Sequence, residues 1–212
     1  MKTKRKALLL TFCAVLLVVA SVLGTIAYLT ANDKVTNTFT VGRVAINLDE
    51  AKVTEDGKAV TPAERVKENR YKLLPGHTYT KDPMVTVLKG SESSYIKMTV
   101  TFTMANELDA IFAPNGADLT SIFNDYDAAN WTAKGDTKDA AANTRTYEFW
   151  YKDIVSAPTA DVALDALFDS ITVPGKITQE QLATIEGMTI TVNAYAIQAD
   201  GSTDAADAWS KY

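Results

Sequence analysis

Histidine and cysteine are almost absent from this chain, whose 212 residues contain one of each. A structural zinc site, an iron–sulfur cluster and a disulfide framework all need several such residues, so the composition excludes them. Basic residues are also in the minority, with 21 against 26 acidic residues and a net charge of −5. Proteins that bind nucleic acid present a face rich in lysine and arginine, so this charge argues against nucleic acid as a partner.

The rest of the composition is that of a packed globule. Hydrophobic residues make up 47% of the chain and charged residues 22%. At roughly 150 residues per domain, the length allows one large domain or two small ones.

The N-terminus has the pattern of an export signal. Four basic residues lie within residues 2–6, and the following 17 residues, Ala7 to Leu23, are almost entirely apolar. The triplet Thr25-Ile26-Ala27 is similar to the small-residue pattern that precedes signal cleavage. We therefore expect a signal peptide over residues 1–27, cut between Ala27 and Tyr28, with Ala31 as an alternative end point. An uncleaved signal anchor is the other interpretation, because the run approaches the roughly 20 residues of a membrane span.

Cleavage would change both the net charge and the cysteine content of the chain. It removes four basic residues and no acidic ones, which leaves 17 basic against 26 acidic residues and a net charge of −9. Cys13 leaves with the signal, so the remaining 185 residues contain no cysteine. A secreted domain of that length without disulfides must be stabilised by its own core.

The mature chain reads as mostly β structure. Two segments show strict alternation of apolar and polar residues, the pattern of a strand with one buried face. Others are rich in β-branched and aromatic residues. Together these six strands predict an antiparallel sandwich. The two alternating segments are Ile96–Thr103 and Met188–Ala196, and the other four are Thr38–Leu48, Met84–Leu88, Thr144–Tyr151 and Ser170–Val173.

The connections carry weaker signals. Thr178 begins a capping-box pattern that predicts a helix over Gln179–Ile185. Asp161–Asp169 fits either a helix or a loop packed on the sheet, and Asp118–Tyr126 is equally ambiguous. The polar stretch Asn130–Asn143 is predicted to be a surface loop.

Four segments, in order and spacing, resemble the TasA/camelysin family of exported proteins. They extend from the signal to the last residues. His77 departs from the pattern, because the family usually has an acidic residue after Pro-Gly. The segments are Gly24–Thr30 followed by Asn37–Gly42, Leu74–Gly76 followed by Thr80–Pro83 and Val85, Ser94–Lys97, and Ala194–Gly201 followed by Ala205–Trp209.

The resemblance implies a jelly-roll sandwich that a Gram-positive bacterium exports and assembles into fibres at the cell surface or in the biofilm matrix. It also implies a SipW-type signal peptidase as a partner, and leaves room for an accessory matrix subunit. The membrane would be contacted through the signal peptide alone. A jelly roll of eight strands would need two more strands, from Val53–Tyr71 and from Phe112–Phe123.

A route to assembly is suggested by residues 28–41, a polar, Thr-rich stretch ahead of the first strong strand. Thr38, Phe39, Thr40 and Val41 alternate as a sheet edge requires. We expect this segment to add as a strand to the next subunit, giving a head-to-tail fibre that starts once the signal is removed. The alternative is that the segment pairs within its own domain.

Catalysis is opposed by the residues. Camelysin, a member of this family, is classed as a metallopeptidase. A catalytic zinc, however, takes three protein ligands, and the mature chain has His77 as its single histidine and no cysteine. No G-x-S-x-G motif accompanies that histidine. Glu148 and Asp153 flank an aromatic strand, yet in a chain with 26 carboxylates they are expected to be surface groups. We therefore expect neither enzymatic activity nor a cofactor.

Two binding hypotheses stay open beside the fibre. A monomeric secreted or surface-attached module could recognise a ligand, for instance carbohydrate through Trp131, Trp150 and Trp209, although burial in the core accounts better for these rings. Asp200, Ser202 and Asp204 are weakly similar to a calcium loop but lack its twelve-residue frame, so a turn is expected there.

Overall fold

The computed structural model describes residues 2–29, 42–112 and 118–212. The chain divides into two compact units, residues 1–41 and residues 42–212. The first contains helix α1 (Lys2–Leu29), in which the side chains of residues 3–21 are exposed, Leu8 for instance at 75%. Among the described residues, we find no helix with the length and apolar character needed to cross a membrane.

The described residues of the second unit form twelve strands and several short helices. The helices are α2 (Ala105–Phe112), a 3₁₀ turn (Leu119–Ile122), α3 (Gln179–Thr184) and α4 (Ala205–Ser210). The strands are β1 (Ile46–Ala51), β2 (Arg65–Val66), β3 (Thr78–Thr80), β4 (Met84–Val87), β5 (Ser91–Thr103), β6 (Phe123–Asn124), β7 (Trp131–Asp139), β8 (Thr144–Tyr151), β9 (Val155–Ala157), β10 (Val162–Ala163), β11 (Ser170–Thr172) and β12 (Ile190–Gln198).

These strands form three antiparallel sheets. The largest has the order β12-β5-β8-β7, with β9 paired to the start of β5. A four-stranded sheet has the order β10-β4-β1-β2, and a three-stranded sheet the order β3-β11-β6. The prediction of an all-β antiparallel fold with short helices is confirmed, and the arrangement is consistent with a β-sandwich.

The strongest strand predictions are confirmed because one face of each strand is buried. In β5 the side chains of Ile96, Met98, Val100 and Phe102 are fully buried, while Lys97 points to the opposite face. β12 pairs with β5 along its whole length, and β8 pairs with the other side of β5. The predicted strands at β4, β8 and β11 are also present, each within a residue or two of its predicted bounds.

The predicted surface loop over Asn130–Asn143 is wrong. Most of it is strand β7, which pairs with β8 from Trp131 to Asp139. Only Trp131 is buried in β7, since every side chain from residue 132 to residue 139 is exposed. The segment reads as a loop because an outer strand with both faces in solvent has no apolar alternation.

Other segments were predicted only in part. Asp161–Asp169 forms no helix: it contains the two-residue strand β10 and then a loop that buries Leu167 and Phe168. Asp118–Tyr126 forms the 3₁₀ turn and then β6. Of the predicted strand Thr38–Leu48, the part from Ile46 to Leu48 belongs to β1, whereas residues 38–41 lie outside the described residues.

The regions expected to supply two further strands do so only briefly. Within Val53–Tyr71 the regular strand is the two-residue β2, and the end of Phe112–Phe123 contributes the start of β6. Helix α2 was not predicted, although it buries Leu108 and Ile111 against the sheet. The capping box of α3 is confirmed, because the Gln181 amide donates to the Thr178 hydroxyl and the Thr178 amide to the Gln181 side chain.

The core is built around aromatic rings. Phe123 and Phe168 stack with ring centroids 4.1 Å apart, and Phe102 stacks on the other side of Phe123 at 6.0 Å. Trp131 is 1% exposed and its indole N–H donates to the Asp165 carbonyl at 3.3 Å. Burial of such rings supplies the largest apolar areas per residue, and this domain must be held by them in the absence of disulfides.

Truncating one of these rings tests the account of the core. Phe168→Ala is expected to lower the free energy of unfolding by about 3–5 kcal/mol, because it removes a fully buried ring and leaves a cavity. Ile154→Ala is the matched control, since Ile154 is 52% exposed and its truncation should change stability by less than about 0.5 kcal/mol. Urea unfolding measures both variants, and similar losses would contradict this description of the core.

Candidate functional site

The described residues form a cleft of about 1360 Å³ between β1 and β12, lined by both apolar and charged side chains. Helix α3 and residues 66–73 complete its walls. Its volume exceeds the roughly 300–1,000 Å³ typical of small-molecule sites. A cleft of this size and lining can hold an extended stretch of polypeptide. Its apolar lining includes Leu48, Leu73, Leu182, Ile185, Ile190 and Val192.

One wall of the cleft is a strand with an open edge. β12 is an outer strand of the five-stranded sheet and pairs with β5 through nine residue pairs, from Ile190 to Gln198. Among the described residues, no strand pairs with its other edge. Residues 190–198 contain no charged side chain. An uncharged outer strand is a template for pairing with another chain.

The opposite outer strand of the same sheet is built differently. β7 carries Lys134, Asp136, Lys138 and Asp139, all exposed. Its pairing with β8 shifts register between Ala133 and Gly135, the mark of a bulge. Charges and bulges on an outer strand discourage pairing with another chain. The sheet therefore has one protected edge and one edge that is open to addition.

A buried ion pair lies in the wall of the cleft. The Lys81 ammonium donates to the Glu50 carboxylate at 2.7 Å, and these side chains are 6% and 11% exposed. The Asn69 side-chain amide donates to the other Glu50 oxygen at 2.9 Å and to the Ala51 carbonyl at 2.8 Å. The pair thus places a buried, hydrogen-bonded pair of charges in the wall of the cleft.

Tyr71 lies beside this pair. Its hydroxyl donates to the Thr80 carbonyl at 3.2 Å, and its ring meets Tyr79 edge-on at 5.8 Å. The Lys81 ammonium is 6.0 Å from the centre of the Tyr71 ring. Burial raises the pKa of the Tyr71 phenol, and the nearby Glu50 carboxylate raises that pKa further.

Strand register fixes where the chain enters the domain relative to the cleft. Arg43 bridges to Ser91 at the start of β5, and the Glu92 amide donates to the Arg43 carbonyl at 2.9 Å. The cleft is lined by residues 189–194 of the C-terminal segment, where Ile190 pairs with Phe102 near the end of β5. At about 3.3 Å per residue, Ser91 and Phe102 are roughly 36 Å apart along β5. Entry point and cleft therefore lie towards opposite ends of the sheet.

The predicted processing and assembly residues fall at or beyond the limits of the described chain. Ala27 and Tyr28 lie in the backbone of α1, which ends at Leu29. The predicted assembly strand, Thr38, Phe39, Thr40 and Val41, lies outside the described residues. Both stay predictions.

The three tryptophans do not form one binding platform. Trp131 belongs to the main core, whereas Trp150 and Trp209 lie 6.4 Å apart in a second cluster with Tyr95 and Ala208. The Lys97 ammonium lies 4.5 Å from the centre of the Trp209 ring. This cluster anchors helix α4, and with it the end of the chain, to the sheet.

The remaining candidate residues have structural partners. Glu148 accepts from the Trp150 indole and is 3.5 Å from the Lys97 ammonium. His77 lies in a turn, where its amide donates to the Leu74 carbonyl at 3.2 Å. Asp204 is the N-cap of α4, since its carboxylate accepts from the Asp207 amide. Within residues 2–29, 42–112 and 118–212, no group of three or more potential ligand side chains is placed to hold a metal ion.

Sequence reasoning missed the residues that line the cleft. Glu50 and Lys81 are ordinary charged residues in the sequence, and the fold brings them together because Glu50 lies in β1 and Lys81 lies between β3 and β4. The one available signal was β12 itself, whose nine residues lack the charges that usually protect an outer strand.

Comparison with known proteins gives no relative: no family model, curated protein or solved structure matches this chain.

Breaking the buried ion pair should lower the free energy of unfolding. Lys81→Met is expected to lower the free energy of unfolding by about 3–5 kcal/mol, because it leaves the Glu50 carboxylate buried without its cation. Glu50→Gln combined with Lys81→Met should recover most of that loss, since it removes both charges and keeps the hydrogen bond from Asn69. Equal losses in the single and double variants, measured by urea unfolding, would contradict the pairing.

Buried phenols predict a loss of stability at high pH. Burial is the largest cause of a raised pKa in five tyrosines, so these groups hold their protons in the folded chain above the ordinary value of 10.0. The unfolded chain then loses those protons first, and the stabilisation that is complete below pH 10 falls as the pH rises above it. The five are Tyr71, Tyr79, Tyr126, Tyr147 and Tyr151.

Tyr71→Phe is the control for this effect. A phenylalanine cannot ionise, so urea unfolding at a series of pH values from 8 to about 12 should show a shallower fall in stability for the variant than for the parent chain. Parallel curves would contradict the assignment of this pH dependence to Tyr71.

Proposed function

We propose that this protein is a secreted structural subunit of the cell surface or biofilm matrix, which assembles into fibres by strand addition. In each junction, residues 28–41 of one chain occupy the cleft beside β12 of the next chain. The observation that carries the proposal is the uncharged open edge of β12 next to a cleft with apolar side chains in its lining. The resemblance of the sequence to the TasA/camelysin family supports the same function, and the antiparallel all-β fold is consistent with the jelly roll which that resemblance implies.

Strand addition would satisfy the main-chain hydrogen bonds of both chains and bury apolar side chains. The free edge of β12 offers main-chain donors and acceptors over nine residues, which an added strand would pair. Alternate side chains of that strand would point into the apolar lining, as Phe39 and Val41 do in the predicted pattern. Burial of apolar side chains contributes roughly 25 cal/mol per Å², and main-chain pairing fixes their position.

The length of the segment suits this role. Fourteen extended residues span about 46 Å at 3.3 Å per residue, whereas the nine-residue edge of β12 needs about 30 Å. The surplus of about 16 Å is available as the connection between neighbouring subunits.

The head-to-tail arrangement of a fibre also fixes the direction of the added strand. In a head-to-tail arrangement, the entry point of one subunit, at the start of β5, faces the far end of the next subunit's cleft. The added segment then has its N-terminus near the entry point of the receiving subunit. It leaves the cleft at the far end, where it joins its own domain. β12 runs the opposite way, so the added strand is antiparallel to β12.

Signal cleavage would control assembly. The apolar side chains of α1 between residues 7 and 21 are exposed, as expected of a segment that binds the export machinery and the membrane before removal. A SipW-type signal peptidase would cut between Ala27 and Tyr28 and release the new N-terminus of the added strand. Polymerisation is thereby delayed until export is complete.

The first experiment compares three forms of the chain by size-exclusion chromatography and negative-stain microscopy. The chain that begins at Tyr28 should form filaments, because it has both the open edge and the added strand. The chain that keeps residues 1–27 and the chain that lacks Tyr28 to Asn37 should not. Filaments of normal length from the truncated chain would contradict the proposal, and a stable monomer with a saturable ligand would favour a binding module.

A charge at the receiving edge should block assembly. Val192→Lys places an ammonium on the half-buried, cleft-lining face of β12, and we expect the critical concentration for fibre formation to rise at least about tenfold, the equivalent of about 1.4 kcal/mol. Thr137→Lys is the matched control on β7, the protected outer strand of the same sheet, and should polymerise normally.

Thermal unfolding of the same two variants separates folding from assembly. Both should keep a cooperative transition, which for Val192→Lys should fall at a lower temperature because Val192 packs against the core. Equal inhibition by Val192→Lys and Thr137→Lys would contradict β12 as the receiving strand.

A further inference from the structure

We propose that the side chains of Lys81 and Asn69 become joined by an amide bond, with Glu50 carrying a proton of the reaction. The product is an internal cross-link that forms once in each chain, so it needs no external substrate. It goes beyond the proposed fibre and does not depend on strand addition. The observation that carries it is a buried lysine and a buried glutamate hydrogen-bonded in series to an asparagine.

The Glu50 carboxylate holds both reacting groups. One of its oxygens accepts from the Lys81 ammonium at 2.7 Å, and the other accepts from the Asn69 side-chain amide at 2.9 Å. An amine and an amide held by one carboxylate meet far more often than two free groups in water. Lys81 is 5% exposed and Glu50 is 9% exposed, so water is largely excluded from the point where they meet.

The orientation of the Asn69 amide is fixed by the backbone. Its oxygen accepts from the Val53 amide at 3.0 Å, and its nitrogen also donates to the Ala51 carbonyl at 2.8 Å. The Val53 N–H therefore points at the oxygen that becomes negative when an amine adds to the side-chain carbonyl carbon. A donor aimed at such an oxygen stabilises the addition step.

Neighbouring residues hold Glu50 and Lys81 in place. The residues that directly follow them, Ala51 and Asp82, are joined by a hydrogen bond of 2.6 Å from the Ala51 amide to the Asp82 carboxylate. The Arg65 guanidinium donates to the other Asp82 oxygen at 2.8 Å. The amine and its carboxylate are therefore tied together through their neighbours as well as through their own hydrogen bond.

The reaction balances without an oxidant or a second reagent. The Lys81 ammonium gives one proton to the Glu50 carboxylate, and the neutral amine attacks the side-chain carbonyl carbon of Asn69. A new C–N bond forms, and a second proton passes from the attacking nitrogen to the leaving nitrogen. The old C–N bond then breaks. The products are a secondary amide, a protonated Glu50 and one molecule of ammonia.

The buried position favours the products. The ion pair keeps two charges out of water at a cost in desolvation, and after the reaction both Lys81 and Glu50 are neutral. Lys81 and Asn69 line the cleft, so ammonia can leave to solvent, where dilution prevents the reverse reaction. The bond closes a loop over residues 69–81 and joins one wall of the cleft to the segment before β4.

A second lysine lies beside an asparagine without this arrangement. The Lys67 ammonium is exposed, and its hydrogen-bond partners among the described residues are the Asn47 side-chain oxygen at 2.5 Å and the Leu48 carbonyl at 2.8 Å. Neither partner is a base that can take its proton, and water competes for the ammonium. We therefore expect no bond between Lys67 and Asn47, which makes this pair the matched control.

Mass spectrometry of the purified chain, with or without residues 1–27, tests the proposal. The intact mass, followed at neutral pH until it is constant, should fall by about 17 Da as ammonia leaves. Trypsin should then release residues 68–70 joined through Asn69 to residues 73–89 through Lys81. Cyclisation of an asparagine alone loses the same mass but joins no peptides. A constant full mass, or a loss of mass with these peptides separate, would overturn the proposal.

Three variants identify the two ends of the bond. Asn69→Ala and Lys81→Met each remove one reacting group, so both should keep the full mass. Lys67→Arg removes the control lysine and should lose ammonia as the parent chain does. The same loss of mass in Asn69→Ala, or a full mass in Lys67→Arg, would contradict the assignment of the ends.

Glu50→Gln tests the proton carrier. Glutamine keeps the length of the side chain and an acceptor for Asn69 but cannot take the lysine proton, so the bond should form at least about a hundredfold more slowly. Thermal unfolding establishes that the variant is folded. Equal rates in the folded variant and the parent chain would overturn the role of Glu50, while the parent chain alone decides whether the bond exists.

These outcomes are separate from those for the fibre. The cross-link is measured by mass in monomers and in fibres alike, so a failure to polymerise leaves it standing. A parent chain that keeps its full mass overturns the cross-link and leaves strand addition standing. The Glu50–Lys81 ion pair is the state before the reaction, so the effect of its variants on urea unfolding is measured against parent chain of full mass.

Discussion

The pairing of β5 with its two neighbours is the interaction on which the rest of the domain depends. This thirteen-residue strand holds β12 on one side and β8 on the other, and its inward side chains are fully buried. Because its start anchors the entering chain at Arg43 and its end supports the cleft-lining half of β12, it also sets the distance between the two. β5 therefore sets the distance between the entry point and the cleft in any polymer that the domain forms.

The two outer strands of this sheet differ in how open they are to pairing with another chain. β7 is charged, bulged and exposed, which keeps that edge in water. β12 has neither charge nor bulge and borders the cleft. A protein under pressure only to stay monomeric would protect both edges. The asymmetry between them is the strongest structural argument that one edge is meant to be paired.

Much of the fold could be predicted from the sequence, and the failures have physical causes. Ile96–Thr103 was evident because alternation of side chains reports one buried face directly. Asn130–Asn143 was not, since an exposed outer strand has no such contrast and its polar residues are those of a loop. The capping box at Thr178 was found because its two hydrogen bonds are local. The Glu50–Lys81 pair was missed because burial of a charge is decided by distant segments that the sequence does not bring together.

Amide hydrogen exchange tests the central claim most directly, because it reports main-chain pairing strand by strand. The measurement compares the soluble and polymerised fractions of the chain that begins at Tyr28, peptide by peptide. The account predicts that residues 190–198 become more protected on polymerisation, together with residues 28–41, while residues 131–139 exchange at the same rate in both fractions. Protection gained at β7, with β12 unchanged, would contradict it.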